Sequence, residues 1–334
     1  MRLRCMGFAL PVGLLAAFCV TVPSWGVSCT TESQMTQAER AVFEQAVRSL
    51  GAHIQAGDVA AVKAGTVTSV AAHFEPLAGT IEQAAPDIKQ AALTVEALYS
   101  LKATDLKAGE GNAEFFCAVP GSSLVVTVTI PELPPGNYAL AILRATGVAH
   151  PQQISMILQE EPTGSGHWKL AGLYVRPLTA AGHDGVWYWK QARVFEQKKQ
   201  NWNAYFYYHT AEFLLNPVDF VSSPNLQKLQ KEMAGVKPAD LPGKNPLMVQ
   251  AGGQSLAVTG LRTDTFQGGL DLVVNYQAKG VSGPVETRTQ IVDLMKALLA
   301  KHPELREGFH GLWVYASNGT GAPFAIELPM NQIQ

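Results

Sequence analysis

With 334 residues the chain is long enough for two ordinary domains, each able to bury a core of its own. Apolar residues make up 47% and charged residues 16%, and the formal net charge is −2. That balance excludes an intrinsically disordered chain, and it excludes a nucleic-acid binder, which needs clustered Lys and Arg to neutralise a phosphate backbone. The N-terminus carries Arg2 and Arg4, an apolar run from Gly7 to Val22, a break at Pro23 and small residues at Gly26 and Ser28. This order predicts an export signal peptide over residues 1–28. The competing reading, an uncleaved anchor helix, is disfavoured because the run falls short of the ~20 residues that a span needs.

Cys5 and Cys19 lie inside that signal, leaving Cys29 and Cys117. Gly26-Val27-Ser28-Cys29 resembles a bacterial lipoprotein signal, with Gly26 standing where a large aliphatic is usual. Two fates for Cys29 stay open: acylation, which would tether the chain to a membrane, and a disulfide with Cys117, which suits an oxidising compartment.

Thr36-Gln-Ala-Glu39 forms a capping-box pattern ahead of Phe43, Ala46, Val47, Leu50 and Ile54, which recur at helical spacing, so a helix is predicted over 37–55. Gly57 ends it and Asp58 caps a turn from Val59 to Ala64. Glu75 to Ala84 reads as a helix stopped by Pro86. Alternation of period two then predicts strands at Thr94–Leu101, Glu114–Val119, Ser123–Ile130, Tyr138–Arg144, Gln153–Gln159 and Trp168–Val175. The links between them, with Gly109 and Gly111, Gly121, Pro134-Pro135-Gly136, Gly147 and Gly164-Ser-Gly166, are short and favour antiparallel neighbours.

Ile54-Gln-Ala-Gly-Asp-Val-Ala-Ala-Val62 resembles the helix-Gly-Asp-helix opening of NTF2-like, SnoaL-like domains, and His167-Trp-Lys-Leu-Ala-Gly-Leu173 resembles their late strand. The resemblance covers residues 36–178. It implies a curved antiparallel sheet wrapped on a long helix, a cone that holds a small ligand, serves as a dimer face or stays empty, in a family of isomerases, cyclases, dehydratases and non-catalytic domains.

A helical hairpin extension follows over 183–236, with aromatic helices at Trp187–Gln200 and Trp202–Leu215 expected to dock on the preceding sheet, and a further helix from Asn225 to Met233. Three prolines and a glycine in 237–246 mark a linker. Beyond it, strands at Leu247–Gln250, Ser255–Arg262 and Leu270–Gln277, a helix opened by Pro284, and strands at Gly311–Ala316 and Phe324–Leu328 turning at Asn318-Gly319 predict a small α+β domain over 247–330, with an antiparallel sheet and one main helix. The fold class expected for the whole chain is α+β.

Chemistry is sparse in the sequence. There is no nucleophile elbow, and Cys117 sits in an apolar strand. His209 and Glu212 share a helical face without a third ligand nearby, so no metal is expected. Gly164-x-Gly166 and Gly252-Gly253 lack the flanking strand and helix of a phosphate cradle, and no cofactor is expected. Acid–base work in a cone would draw on Asp58, His73, Glu96, Tyr99 or Tyr138, and no catalytic residue is singled out among them. The densest feature is the aromatic hairpin, where Trp187, Trp202, Tyr205, Tyr208 and His209 are the candidate contacts for a partner or ligand, against the plainer reading that they are core.

The expectation is therefore an exported bacterial cell-envelope protein, periplasmic or secreted, acting as a non-catalytic module for ligand binding, protein binding or assembly. The alternative is a small-molecule isomerase, dehydratase or hydrolase using the cone. The partners it allows are an unidentified protein or small apolar ligand, a second copy of the chain, no nucleic acid, and a membrane only through a lipid on Cys29.

Overall fold

The computed structural model describes residues 27–107, 111–162, 166–278, 283–317, 319 and 322–334. Residues 1–26 of the expected export signal, with Cys5 and Cys19, lie outside them, as do Gly109, Gly164, Ser165 and Asn318 of the expected turns. The fold is α+β. No helix of the described residues is long and apolar enough to cross a membrane.

Strand β1 (Ser28–Thr31) leads through a short 3-10 turn into α1 (Gln37–Ala56). The capping box forms as the sequence suggests, with the Glu39 backbone N–H donating to Thr36 Oγ1 and the Glu39 carboxylate accepting from the Thr36 backbone N–H. Gly57 closes the helix in the left-handed conformation at φ 70°. Asp58 caps α2 (Val59–Ala64), α3 is a single turn (Thr68–Ala71), and α4 spans Glu75–Ile88. Pro86 therefore lies inside α4 instead of stopping it. Ile88, two residues further on, is fully buried, and the Gln55 amide donates to the carbonyls of Ile88 and Ala91, so packing and a side-chain cap offset the proline.

The first sheet has the order β1-β2-β5-β6-β7, all antiparallel, from β2 (Ala92–Lys102), β5 (Asn137–Thr146), β6 (Gln152–Glu160) and β7 (Trp168–Pro177). Bulges at Val95/Ala97 and Ile157/Leu158 interrupt its register and bend the strands concerned. The hairpin of β3 (Asn112–Ala118) and β4 (Val125–Pro131) leaves this sheet and forms a second one with β10 (Val221–Ser222). One face of the first sheet carries α1, α2 and α4 on a core that includes Phe43, Val47, Ile54, Leu98, Leu143 and Leu170. The other face shares a core with the three-stranded sheet, through Leu101, Tyr138, Leu140, Phe115 and Val128. Strand β5 is thus covered on both sides, which is why Tyr138-Ala-Leu-Ala-Ile-Leu143 reads as an apolar run where a half-buried strand would alternate. Cys29 on β1 is bonded to Cys117 on β3, so the sulfur that an acyl anchor would use is engaged in a cystine.

A two-residue pair, β8 (Thr179–Ala180) and β9 (His183–Asp184), precedes α5 (Gly185–Gln197) and α6 (Asn201–Leu215), and β10 leads into α7 (Pro224–Gly235). The aromatic hairpin does not use the first sheet as its main support. Tyr188, Phe195, Trp202, Phe206 and Tyr207 belong to one continuous core with the C-terminal sheet and its helix. Helix α6 is buried around most of its circumference, so no single sheet could cover it. Polar locks hold it there: Tyr207 donates to the Gly308 carbonyl at 2.5 Å, Asn203 to the Glu304 carbonyl at 2.6 Å, and Thr210 meets Thr263 at 2.8 Å. Its last turn still reaches the first domain, where Arg176 donates to the Asn216 carbonyl and pairs with Asp219.

The C-terminal sheet runs β11-β12-β13-β14-β15, from β11 (Leu247–Ala251), β12 (Gln254–Phe266), β13 (Gly269–Gln277), β14 (Gly311–Ser317) and β15 (Phe324–Pro329). Between β13 and β14 the chain crosses over through α8 (Pro284–Lys301) and the turn α9 (Leu305–Gly308), so these two strands are parallel while all other neighbours are antiparallel. Ile291, Leu294, Met295 and Leu298 of α8 are fully buried, the spacing the sequence predicts for its inward face.

Candidate functional site

Where the five strands of the first sheet meet the start of α1, their ends and the first helical turns line an open cavity of about 330 Å³. Strand register builds its rim. Thr30 pairs with Ser100, Lys102 with Asn137, and Glu160 with Trp168, so polar residues from four strands and an aromatic from the fifth arrive at one level. The capping box fixes the start of α1, whose first two turns supply Glu39, Val42 and Phe43. Phe43 and Trp168 form the apolar floor, with ring centroids 4.6 Å apart and planes inclined by 55°.

The polar side is partly committed. The Asn137 amide donates to Glu160 Oε2 at 2.8 Å, and Glu39 Oε2 accepts from both the backbone N–H and the hydroxyl of Thr36. Those bonds from Thr36 hold the Glu39 carboxyl below the ordinary carboxylate range, so it stays ionised. The Lys102 side chain is exposed at the rim, and Lys169 pairs with Glu161 just outside it. Beneath the floor the interior is filled: Val47, Ile54, Ile154, Met156, Leu158 and Leu170 are all fully buried. The arrangement can hold a small molecule with an apolar end on Phe43 and Trp168 and a polar end against Lys102 and Asn137.

The residues considered for acid–base work lie elsewhere. Asp58 caps α2, His73 is exposed at the end of α3, and Glu96 pairs with Arg144 on the sheet surface. Tyr138 is buried with its hydroxyl donating to the Pro134 carbonyl, and burial raises the hydroxyls of Tyr138 and Tyr99 above the usual range.

The candidates on the aromatic hairpin are spread through its structure. Trp187 is half-buried and stacks on the exposed His183, with centroids 3.7 Å apart and planes 7° from parallel. Trp202 is buried, with the His302 ring 4.0 Å away. Tyr205 is half-buried and edge-on to Phe206, and His209 is exposed. Tyr208 is fully buried, and its hydroxyl donates to Glu196 at 2.6 Å. Burial raises that hydroxyl far above its ordinary value, so it serves as a permanent donor.

Sequence reasoning passed over Phe43, Lys102, Asn137 and Glu160 as site residues because each reads as an ordinary helix or strand-end residue. Polar residues closing several successive apolar strands were the available signal, and only the register shows that they meet. No family model, curated protein or solved structure matches the chain.

Proposed function

We propose that the protein is an exported cell-envelope module whose first domain is NTF2-like and binds a small amphipathic molecule without transforming it. The observation that carries this reading is the cavity at the mouth of the first core, with an aromatic floor, a polar rim and a close-packed interior behind it. Helices α1, α2 and α4 packed on one face of the antiparallel sheet β1-β2-β5-β6-β7 support the family assignment, and the Cys29–Cys117 bond supports an oxidising compartment. An isomerase, dehydratase or hydrolase has less support, because the carboxylates at the rim are held by hydrogen bonds as anions or amide acceptors.

The test fills the mouth. Val42 is 42% exposed at the rim, so Val42→Trp places bulk over Phe43 and Trp168 with little effect on the fold. In a ligand-observed NMR screen of short aliphatic and aryl carboxylates, hits to the parent chain are expected to weaken at least about tenfold in the variant, a loss of about 1.4 kcal/mol, at unchanged melting temperature. Hits that bind both chains equally would place the ligand elsewhere, and chemical conversion of a hit would favour the enzyme reading.

A further inference from the structure

The C-terminal sheet holds a cluster that the cavity of the first domain does not involve. Asp271 sits at the start of β13, His310 immediately before β14, and Glu327 near the end of β15. The parallel pairing of β13 with β14 brings the two strand starts level, and the antiparallel β15 returns Glu327 to the same end. One ligand atom from each residue lies within 4.8 Å of the others. His310 Nδ1 is 3.0 Å from Asp271 Oδ1 and 4.0 Å from Glu327 Oε1.

Three further observations distinguish this cluster from a chance meeting of surface charges. Asp271 is 0% exposed between the buried Leu270 and Leu272, and both its Oδ2 and Glu327 Oε1 are buried without a hydrogen-bond donor. Two carboxyls so placed need a shared proton, a protonated His310 or a bound cation between them, since unpaired buried charge is costly. The backbone also makes room for the group. A Cβ on Gly311 would lie 2.6 Å from Glu327 Oε1, and one on Gly269 would lie 2.4 Å from the His310 side chain. Finally, the His310 side chain is 36% exposed, so the cluster has an entry from solvent.

The geometry points to a binding site for a divalent first-row transition metal, with Asp271, His310 and Glu327 as its ligands. One imidazole nitrogen and two carboxylate oxygens form a donor set suited to Zn²⁺ or Mn²⁺, whereas Ca²⁺ and Mg²⁺ prefer oxygen alone. Metal–ligand bonds of about 2.0–2.2 Å put neighbouring donors about 3–3.5 Å apart, so the present spacings need only small rotations. Three protein ligands leave a coordination position free on the exposed His310 side, where water or an anionic group would complete the shell.

The experiment titrates Zn²⁺ calorimetrically into the full chain after stripping with EDTA. One ion per chain is expected, with binding weakened at least about tenfold by His310→Ala and by Asp271→Asn. Excess Ca²⁺ should not compete, and His302→Ala should bind as the parent does. No heat at about millimolar Zn²⁺ would overturn the site and leave a shared proton as the explanation of the cluster. Uptake that survives both ligand variants would overturn it too, by placing the ion on other histidines, and displacement by Ca²⁺ would overturn the metal class. Should Asp271→Asn fail to fold, His310→Ala carries the test, because His310 is exposed and precedes its strand.

Discussion

Trp202→Ala is expected to cost about 3–5 kcal/mol of stability, as truncation of a large buried aromatic does when its surroundings cannot collapse. Trp202 is 4% exposed, packs at 5.9 Å from Phe206 and lies against His302 with ring centroids 4.0 Å apart. Its removal opens a void between α6 and the end of α8, the junction through which the hairpin joins the C-terminal sheet. Urea denaturation followed by far-UV circular dichroism measures the loss. A change of a few tenths of a kcal/mol would make Trp202 a surface anchor and would reverse its assignment to the core.

The same variant has a second readout in its pH dependence. Burial lowers the pKa of His302 below the ordinary imidazole value, outweighing the carboxylates of Asp240 and Glu304 that act to raise it. A histidine with a depressed folded pKa binds fewer protons in the folded state than in the unfolded state. Stability is therefore full above the unfolded pKa of about 6.5 and falls as the pH drops below it. Asp240 is lowered as well, mainly through Lys301 acting against its burial, so its contribution is also lost on acidification, at lower pH. In Trp202→Ala water reaches the ring, and the His302 titration followed by NMR should move back toward about 6.5 while the slope of stability with pH near neutrality flattens.

What the sequence could say divides along the reach of its signals. Local chemistry was legible: the Thr36–Glu39 capping box, the Asp58 cap, and the inward face of α8 rest on residues a few positions apart. Helix and strand positions followed for the same reason. The partner of each surface was not legible. Phe115 and Val128 alternate like any strand residues, yet their sheet lies across the first instead of extending it. The aromatic hairpin presents apolar residues in several directions, and periodicity does not state that its main support is a sheet that starts only at Leu247. The Asp271 cluster was hidden for a related reason. Its residues are 39 and 17 positions apart, and they meet only because α8 returns the chain parallel to β13. The one local hint was a carboxylate inside Gly-Leu-Asp-Leu-Val-Val, a charge set in a strand otherwise fit for burial.

Breaking the Cys29–Cys117 bond is the other substitution expected to act strongly. The bond joins β1, at the edge of the first sheet, to β3 in the sheet packed across it, and closes a loop with a sequence separation of 88 residues. The chain-entropy relation assigns a loop of that size about 4–5 kcal/mol, and removal of native bonds of this kind typically costs about 2–5 kcal/mol. Cys29→Ala is the cleaner variant, since Cys117 is 0% exposed among Phe115, Val128 and Leu140, where a serine hydroxyl would add a buried donor without a partner. The loss should appear as a lower denaturation midpoint for the parent chain in reductant and for Cys29→Ala, with no further effect of reductant on the variant. Intact mass separates the two fates of Cys29, since the cystine form is two hydrogens lighter than the thiol form and an acylated form is heavier by its lipid. A chain recovered from membranes with lipid on Cys29 would leave Cys117 a buried free thiol. In that case reductant should leave the denaturation midpoint unmoved, because the chain would hold no cystine to reduce.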